Sequence, residues 1–308
     1  MQASLGLSAA LVGARARADT PPSSDLRALD LRLPGDPRVA RRALVLAPAH
    51  VPPGTRLPML VLLHGLGETV DERLGIHAWG ERYGLVRAYE RLLRPPFERT
   101  LARQRYLTDE HRDAINRALS AAPFRGMVLV CPFTPNPWKL DGAHTIGRYA
   151  DWLVGTLLPA VRDRVPVIEG RGACGLDGCS LGGYVGIEVF LRKPESFGVL
   201  GVVQAAISKA GAAQYARRIA DAVAKAGPCP VHVETSTGDP YRAACEALGR
   251  HLGIAGLPHD LKVIPGPHDQ PWLREIGTPE LLLWHDRALR RAPLPPAPAL
   301  SPSAPAPT

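Results

Sequence analysis

Ser180 stands in Gly178-Cys179-Ser180-Leu181-Gly182, followed by Gly183 and Tyr184. This G-x-S-x-G pentapeptide separates a short apolar stretch, Ala173 to Leu176, from a helix-like stretch, Leu181 to Arg192. A serine on a sharp strand-to-helix turn presents its hydroxyl at the top of a sheet. Glycines flank it where the backbone runs too close to its neighbours for a Cβ, and the helix N-terminus favours negative charge beside it. A serine hydroxyl is a poor nucleophile until a base takes its proton. The motif therefore predicts nucleophilic attack and demands a histidine and a carboxylate further along the chain.

The histidines after Ser180 are 232, 251, 259, 268 and 285. His232 falls inside a strand-like run, His251 and His285 inside helix-like ones, and His259 precedes the Leu261 to Ile264 strand. His268 follows that strand, in the turn-forming Gly266-Pro267-His268-Asp269, and is the predicted base. The acid is expected between serine and histidine in chain order. Asp239 follows the Val231 to Thr235 strand in Ser236-Thr237-Gly238-Asp239-Pro240 and is the predicted acid; an Asp before Pro also suits the N-cap of the next helix. Glu234 lies within the strand, and Asp269 is too near His268 in sequence to orient its ring. Acyl transfer further needs two backbone N–H groups for the developing oxyanion. One is expected from Leu181. The other is expected from the loop His64-Gly65-Leu66-Gly67, at Leu66 with Gly67 as the alternative, while His64 braces that loop by hydrogen bonding.

Such groups must be held by a frame. Met59 to Leu63 and Met127 to Cys131 are continuous apolar runs, the pattern of strands covered on both faces. Leu26 to Leu33 and Ala43 to Ala47 read as early strands with an antiparallel start. Helix-like segments over Ile146 to Arg164, Leu181 to Arg192, Gly211 to Ala226, Arg242 to Leu252 and Trp272 to Leu289 alternate with strands at Ala173, Val199, Val231 and Leu261. This alternation predicts an α/β fold, a mostly parallel central sheet with helices on both faces. Ligand sites in such sheets lie at the carboxyl ends of the strands, where Ser180, Asp239 and His268 fall. About sixty residues separate His64 from Met127, and residues 70–122 read as a helical insertion after the third strand.

With these motifs in place, the sequence resembles the esterase D-like, or putative esterase, branch of the α/β-hydrolases. The resemblance rests on Leu62-Leu63-His64-Gly65-Leu66-Gly67, Gly178 to Tyr184, Thr237-Gly238-Asp239, and Pro265-Gly266-Pro267-His268 with Trp272 four residues later. It spans residues 40 to 290 and implies an ester hydrolase needing no cofactor and no metal, or an acyltransferase with the same three residues. The 70–122 insertion and Cys179 before the serine depart from the family pattern. A serine peptidase of this type usually carries a gating domain, for which the chain has no length. A non-catalytic binding module on a hydrolase scaffold would not need all three positions filled.

Composition narrows the partners. The 308-residue chain is 45% hydrophobic and carries a net charge of +8. The charge is mostly arginine and scattered, with lysines only at 139, 193, 209, 225 and 262, and no basic stripe interleaved with aromatics points to nucleic acid. The expected partner is a small-molecule or polymer-borne ester. Cysteines 131, 174, 179, 229 and 245 lack metal-ligand spacing and read mainly as core residues. Leu5 to Ala14 is a short apolar run before Ala16-Arg17-Ala18, an A-x-A pattern of the signal-peptidase type, although no Lys or Arg precedes it. A leader and linker over 1–25, cut near Ala18, would make the protein periplasmic or extracellular; uncut, it leaves the protein in the cytoplasm. No stretch approaches the length of a membrane span, residues 26–291 form the expected domain, and the Pro/Ala-rich 292–308 reads as a disordered tail.

Overall fold

A strand with no polar residue on either face must be covered twice, and the chain supplies two helical layers to do so. The computed structural model describes residues 25–100 and 105–290; the expected leader up to residue 24 and the expected tail lie outside them. Strands β1 (Leu26–Arg32), β2 (Arg42–Pro48), β3 (Met59–Leu63), β4 (Val128–Pro132), β5 (Cys174–Gly178), β6 (Val199–Val203), β7 (Val231–Gly238) and β8 (His259–Pro267) form one sheet in the order β1-β2-β4-β3-β5-β6-β7-β8. β1 pairs antiparallel with β2 and β2 with β4, as the antiparallel start anticipated, and the remaining pairs are parallel.

Side chains along β3 divide by the two-residue period of a strand. Met59, Val61 and Leu63 join the core under α4 (Gly142–Trp152), α5 (Leu158–Arg162), α6 (Leu181–Arg192), α7 (Ala212–Ala226) and α8 (Arg242–Ile254). Leu60 and Leu62 join the opposite core, under α1 (Glu72–Glu81), α2 (Leu85–Leu93), α3 (Asp109–Ala121) and the C-terminal helix. The segment between β3 and β4 is thus helical, as its composition suggested.

Two long helices are less regular than their periodicity predicts. Between α4 and α5 lies a π-helical turn, Leu153–Leu157, and the final helix is divided into α9 (Gln270–Trp272), a π-helical turn at Leu273–Gly277 and α10 (Thr278–Leu289). Strands β7 and β8 each run further toward their carboxyl ends than their apolar runs do, with a register irregularity at Ser236/Gly238. That extension carries polar residues of the site, which an apolar pattern does not reveal.

Candidate active site

The turn from β5 into α6 places Ser180 at φ 56°, ψ −117°, a conformation strained for any residue with a Cβ. Two close approaches hold it. A Cβ on Gly182 would lie 2.3 Å from the Leu63 carbonyl oxygen of β3, and one on Gly178 2.4 Å from the Gly182 carbonyl oxygen. The flanking glycines are therefore required by backbone contacts, as the motif suggested. The Ser180 N–H donates to Val203 O of β6 at 2.9 Å, and Ala206 N–H donates to Ser180 O at 2.9 Å, so the turn is tied to the neighbouring strand.

His268 follows directly on β8 and Asp239 directly on β7. His268 Nδ1 lies 2.8 Å from Asp239 Oδ1, and His268 Nε2 lies 3.1 Å from Ser180 Oγ. A carboxylate only accepts, so Nδ1 carries the proton donated to Asp239 and Nε2 is left to accept from the serine hydroxyl. The Asp239 side chain is fully buried, that of His268 is 26% exposed, and the site opens at the imidazole. Asp239 accepts two further hydrogen bonds: from Tyr241 N–H at Oδ1 (2.9 Å) and from Thr235 Oγ at Oδ2 (2.6 Å). It is not the N-cap of the following helix. That helix starts at Arg242 with Tyr241 as its N-cap, and Asp239 instead closes a tight turn two residues earlier.

Leu66 opens a 3₁₀ turn, Leu66–Glu68, at the carboxyl end of β3, and Leu181 opens α6. As first residues, both have N–H groups without an acceptor in their own helix, the property an oxyanion hole needs. His64 is fully buried. Its Nε2 accepts the Thr134 N–H at 2.8 Å, so Nδ1 bears the proton and donates to Gly65 O at 2.9 Å, bracing the loop as expected. Burial lowers its pKa to about 4, so it stays neutral in this role. The other histidines are used elsewhere: His285 contacts Asp177 at 2.7 Å and His232 contacts Glu234 at 3.1 Å, both inside the core.

Sequence reasoning missed the supports of His268. Gln204, buried just beyond β6 with φ 48°, donates from Nε2 to Ser236 Oγ (2.7 Å) and to Pro267 O (3.0 Å). Ser236 Oγ also donates to Pro267 O at 2.9 Å, so two donors fix the residue preceding His268. Gln204's place after a strand was the one available signal. The cysteines are all buried and unbridged. Among the described residues no cluster of three or more metal-ligating side chains occurs, and no helix is long and apolar enough to cross a membrane.

No protein-family model matches the sequence, and no curated protein matches it. Solved structures do match. A ferulic acid esterase is 16% identical, with 86% of this chain and 99% of that one covered and a TM-score of 0.61. An S-formylglutathione hydrolase from Staphylococcus aureus is 15% identical, with 87% and 99% covered and a TM-score of 0.51. A feruloyl esterase module from Clostridium thermocellum is 13% identical, with 87% and 91% covered and a TM-score of 0.55. The chain has the α/β-hydrolase fold. In that fold the strand order and the placement of Ser180, Asp239 and His268 after β5, β7 and β8 put all three at one edge of the sheet.

Proposed function

We propose that the chain is a serine hydrolase that cleaves carboxylic esters, with Ser180 as nucleophile, His268 as general base and acid, and Asp239 as the acid that orients it. One observation carries this reading: the continuous hydrogen-bonded path from Ser180 Oγ to His268 Nε2 (3.1 Å) and from His268 Nδ1 to Asp239 (2.8 Å) on a strained turn. His268 takes the Ser180 proton as Oγ attacks the ester carbonyl. The resulting oxyanion is held by the Leu66 and Leu181 N–H groups, and His268 protonates the departing alcohol. Water, deprotonated by His268, then attacks the acyl-serine; release of the acid returns the proton to Ser180. An alcohol in place of water would make the same residues an acyltransferase.

An aromatic pair one helical turn from Ser180 supports an ester with an apolar, planar part. Trp138, 55% exposed, stacks on Tyr184 with ring centroids 5.8 Å apart and planes 16° from parallel. Tyr184 lies one turn along α6 from Ser180, its N–H donating to Ser180 O at 3.2 Å. The ferulic acid esterases among the fold neighbours agree with such a substrate. The A-x-A leader pattern ending at Ala18 supports an exported enzyme. The test is turnover of p-nitrophenyl esters from acetate to octanoate by wild type and Ser180→Ala, matched for folding by circular dichroism. Loss of several orders of magnitude in Ser180→Ala is expected. A wild-type protein that neither turns over nor reacts with a fluorophosphonate would refute the reading and favour a binding module.

A further inference from the structure

Glu68 lies two residues beyond Leu66 on the turn after β3, yet it is only 3% exposed. A buried carboxylate has to be paired or hydrogen-bonded, and Glu68 finds its partners in two other parts of the chain. The Tyr83 hydroxyl, at the corner between α1 and α2, donates to Glu68 Oε2 and accepts the Gly65 N–H at 3.2 Å. Burial holds this phenol in its protonated, donating form. Glu68 Oε1 accepts from Gln270 Nε2 at 3.2 Å and faces Arg82 Nη1 at 3.5 Å. Gln270 is two residues beyond His268. The α1–α2 corner is anchored in turn, with Thr278 Oγ1 donating to Tyr83 O (2.7 Å) and Arg274 Nη1 to Arg82 O (2.8 Å).

We propose that Glu68, Tyr83 and Gln270 are positioning residues that clamp the oxyanion loop to the loop bearing the base. The proposal rests on the esterase reading. Ester attack needs the oxyanion donors, the serine and the imidazole in one fixed relation, and a misplacement of about 1 Å costs roughly 10²-fold in rate. Loops are the most mobile parts of a fold. Here a carboxylate on the first loop bonds Gln270 of the second, so the Leu66 N–H is referenced to His268 through a short side-chain path. The helical segment between β3 and β4 supplies the third anchor through Tyr83 and Arg82.

The experiment compares Tyr83→Phe, Gln270→Ala, Glu68→Ala, Glu68→Gln and the double variant Glu68→Ala/Gln270→Ala on p-nitrophenyl acetate, each checked by thermal unfolding. A clamp predicts kcat lower by about 10- to 100-fold in Tyr83→Phe, since the loop is displaced while both oxyanion N–H groups are kept. KM and the pH midpoint of kcat/KM stay at their wild-type values. Glu68→Gln, which keeps one acceptor, recovers part of what Glu68→Ala loses, and Gln270→Ala adds little once Glu68 is gone. Folded variants with kcat within twofold of wild type would overturn the clamp, as would Gln270→Ala and Glu68→Ala losses that multiply in the double variant. In either case, an active wild type with an inactive Ser180→Ala leaves the esterase reading standing. An inactive wild type removes both.

Discussion

Replacing Asp239 by asparagine separates two roles a carboxylate plays beside a histidine. In a related arrangement of serine, histidine and aspartate, the amide costs about 10⁴-fold because it turns its NH₂ to the imidazole and enforces the wrong tautomer. The contacts of Asp239 point to a different outcome. Oδ1 accepts both the His268 Nδ1–H and the fixed backbone N–H of Tyr241, whereas Oδ2 meets only the Thr235 hydroxyl. A hydroxyl rotates to accept as readily as to donate. The amide oxygen of Asp239→Asn is therefore pinned at the Oδ1 position by Tyr241, its NH₂ bonds Thr235 Oγ1, and the imidazole keeps the productive tautomer. What is lost is charge. Hydrogen bonds to charged groups contribute ~1.5–3 kcal/mol, and at 1.36 kcal/mol per decade this corresponds to roughly 10- to 200-fold in kcat. Asp239→Ala removes the acceptor altogether and should approach ~10⁴-fold. The assay is steady-state hydrolysis of p-nitrophenyl acetate on the pH plateau of the wild-type rate. If Asp239→Asn is as inactive as Asp239→Ala while both remain folded, the argument from the Tyr241 hydrogen bond is wrong.

Two further outcomes follow from close contacts and burial. Gly182→Ala sets a Cβ against the Leu63 and His64 carbonyl oxygens, at 2.3 and 2.7 Å, which belong to backbone and cannot yield cheaply. Overpacking of ~1–3 kcal/mol should lower Tm by roughly 5 °C and displace Ser180, whereas Gly155→Ala, in a helical turn with no atom within 4 Å of the added Cβ, should hold Tm or raise it slightly; equal Tm values for the two variants would count against the contact. His64 has its pKa lowered from an ordinary 6.5 to about 4 by burial, so its neutral form contributes stability that is present above pH 6.5 and lost as pH falls through 4. The loss amounts to about 3 kcal/mol from a shift of this size. Urea unfolding of wild type and His64→Gln between pH 7.5 and 4 should give a flatter profile for the variant, and parallel profiles would show that His64 titrates normally.

The residues proposed to bear the chemistry could be picked out because each answers a local demand. Gly178, Ser180 and Gly182 stand together since a strand-to-helix turn needs them adjacent, and Asp239 and His268 each follow a strand whose apolar run marks its end. The parallel sheet was legible for the same reason: β3, β4 and β6 are apolar on both faces, and only a doubly covered strand tolerates that. Asp239, by contrast, carried two compatible roles in sequence, and only the start of α8 at Arg242 decided against the cap. The division of the last helix at Leu273–Gly277 was equally hidden, because the hydrophobic period barely changes across it. The partners of the supporting side chains lay beyond the sequence. Gln204 reaches Pro267 across 63 residues, and Gln270 reaches Glu68 across 202. A buried polar side chain takes whatever partner the packed strands bring within 3 Å, and that partner is set by strand order, not by spacing along the chain.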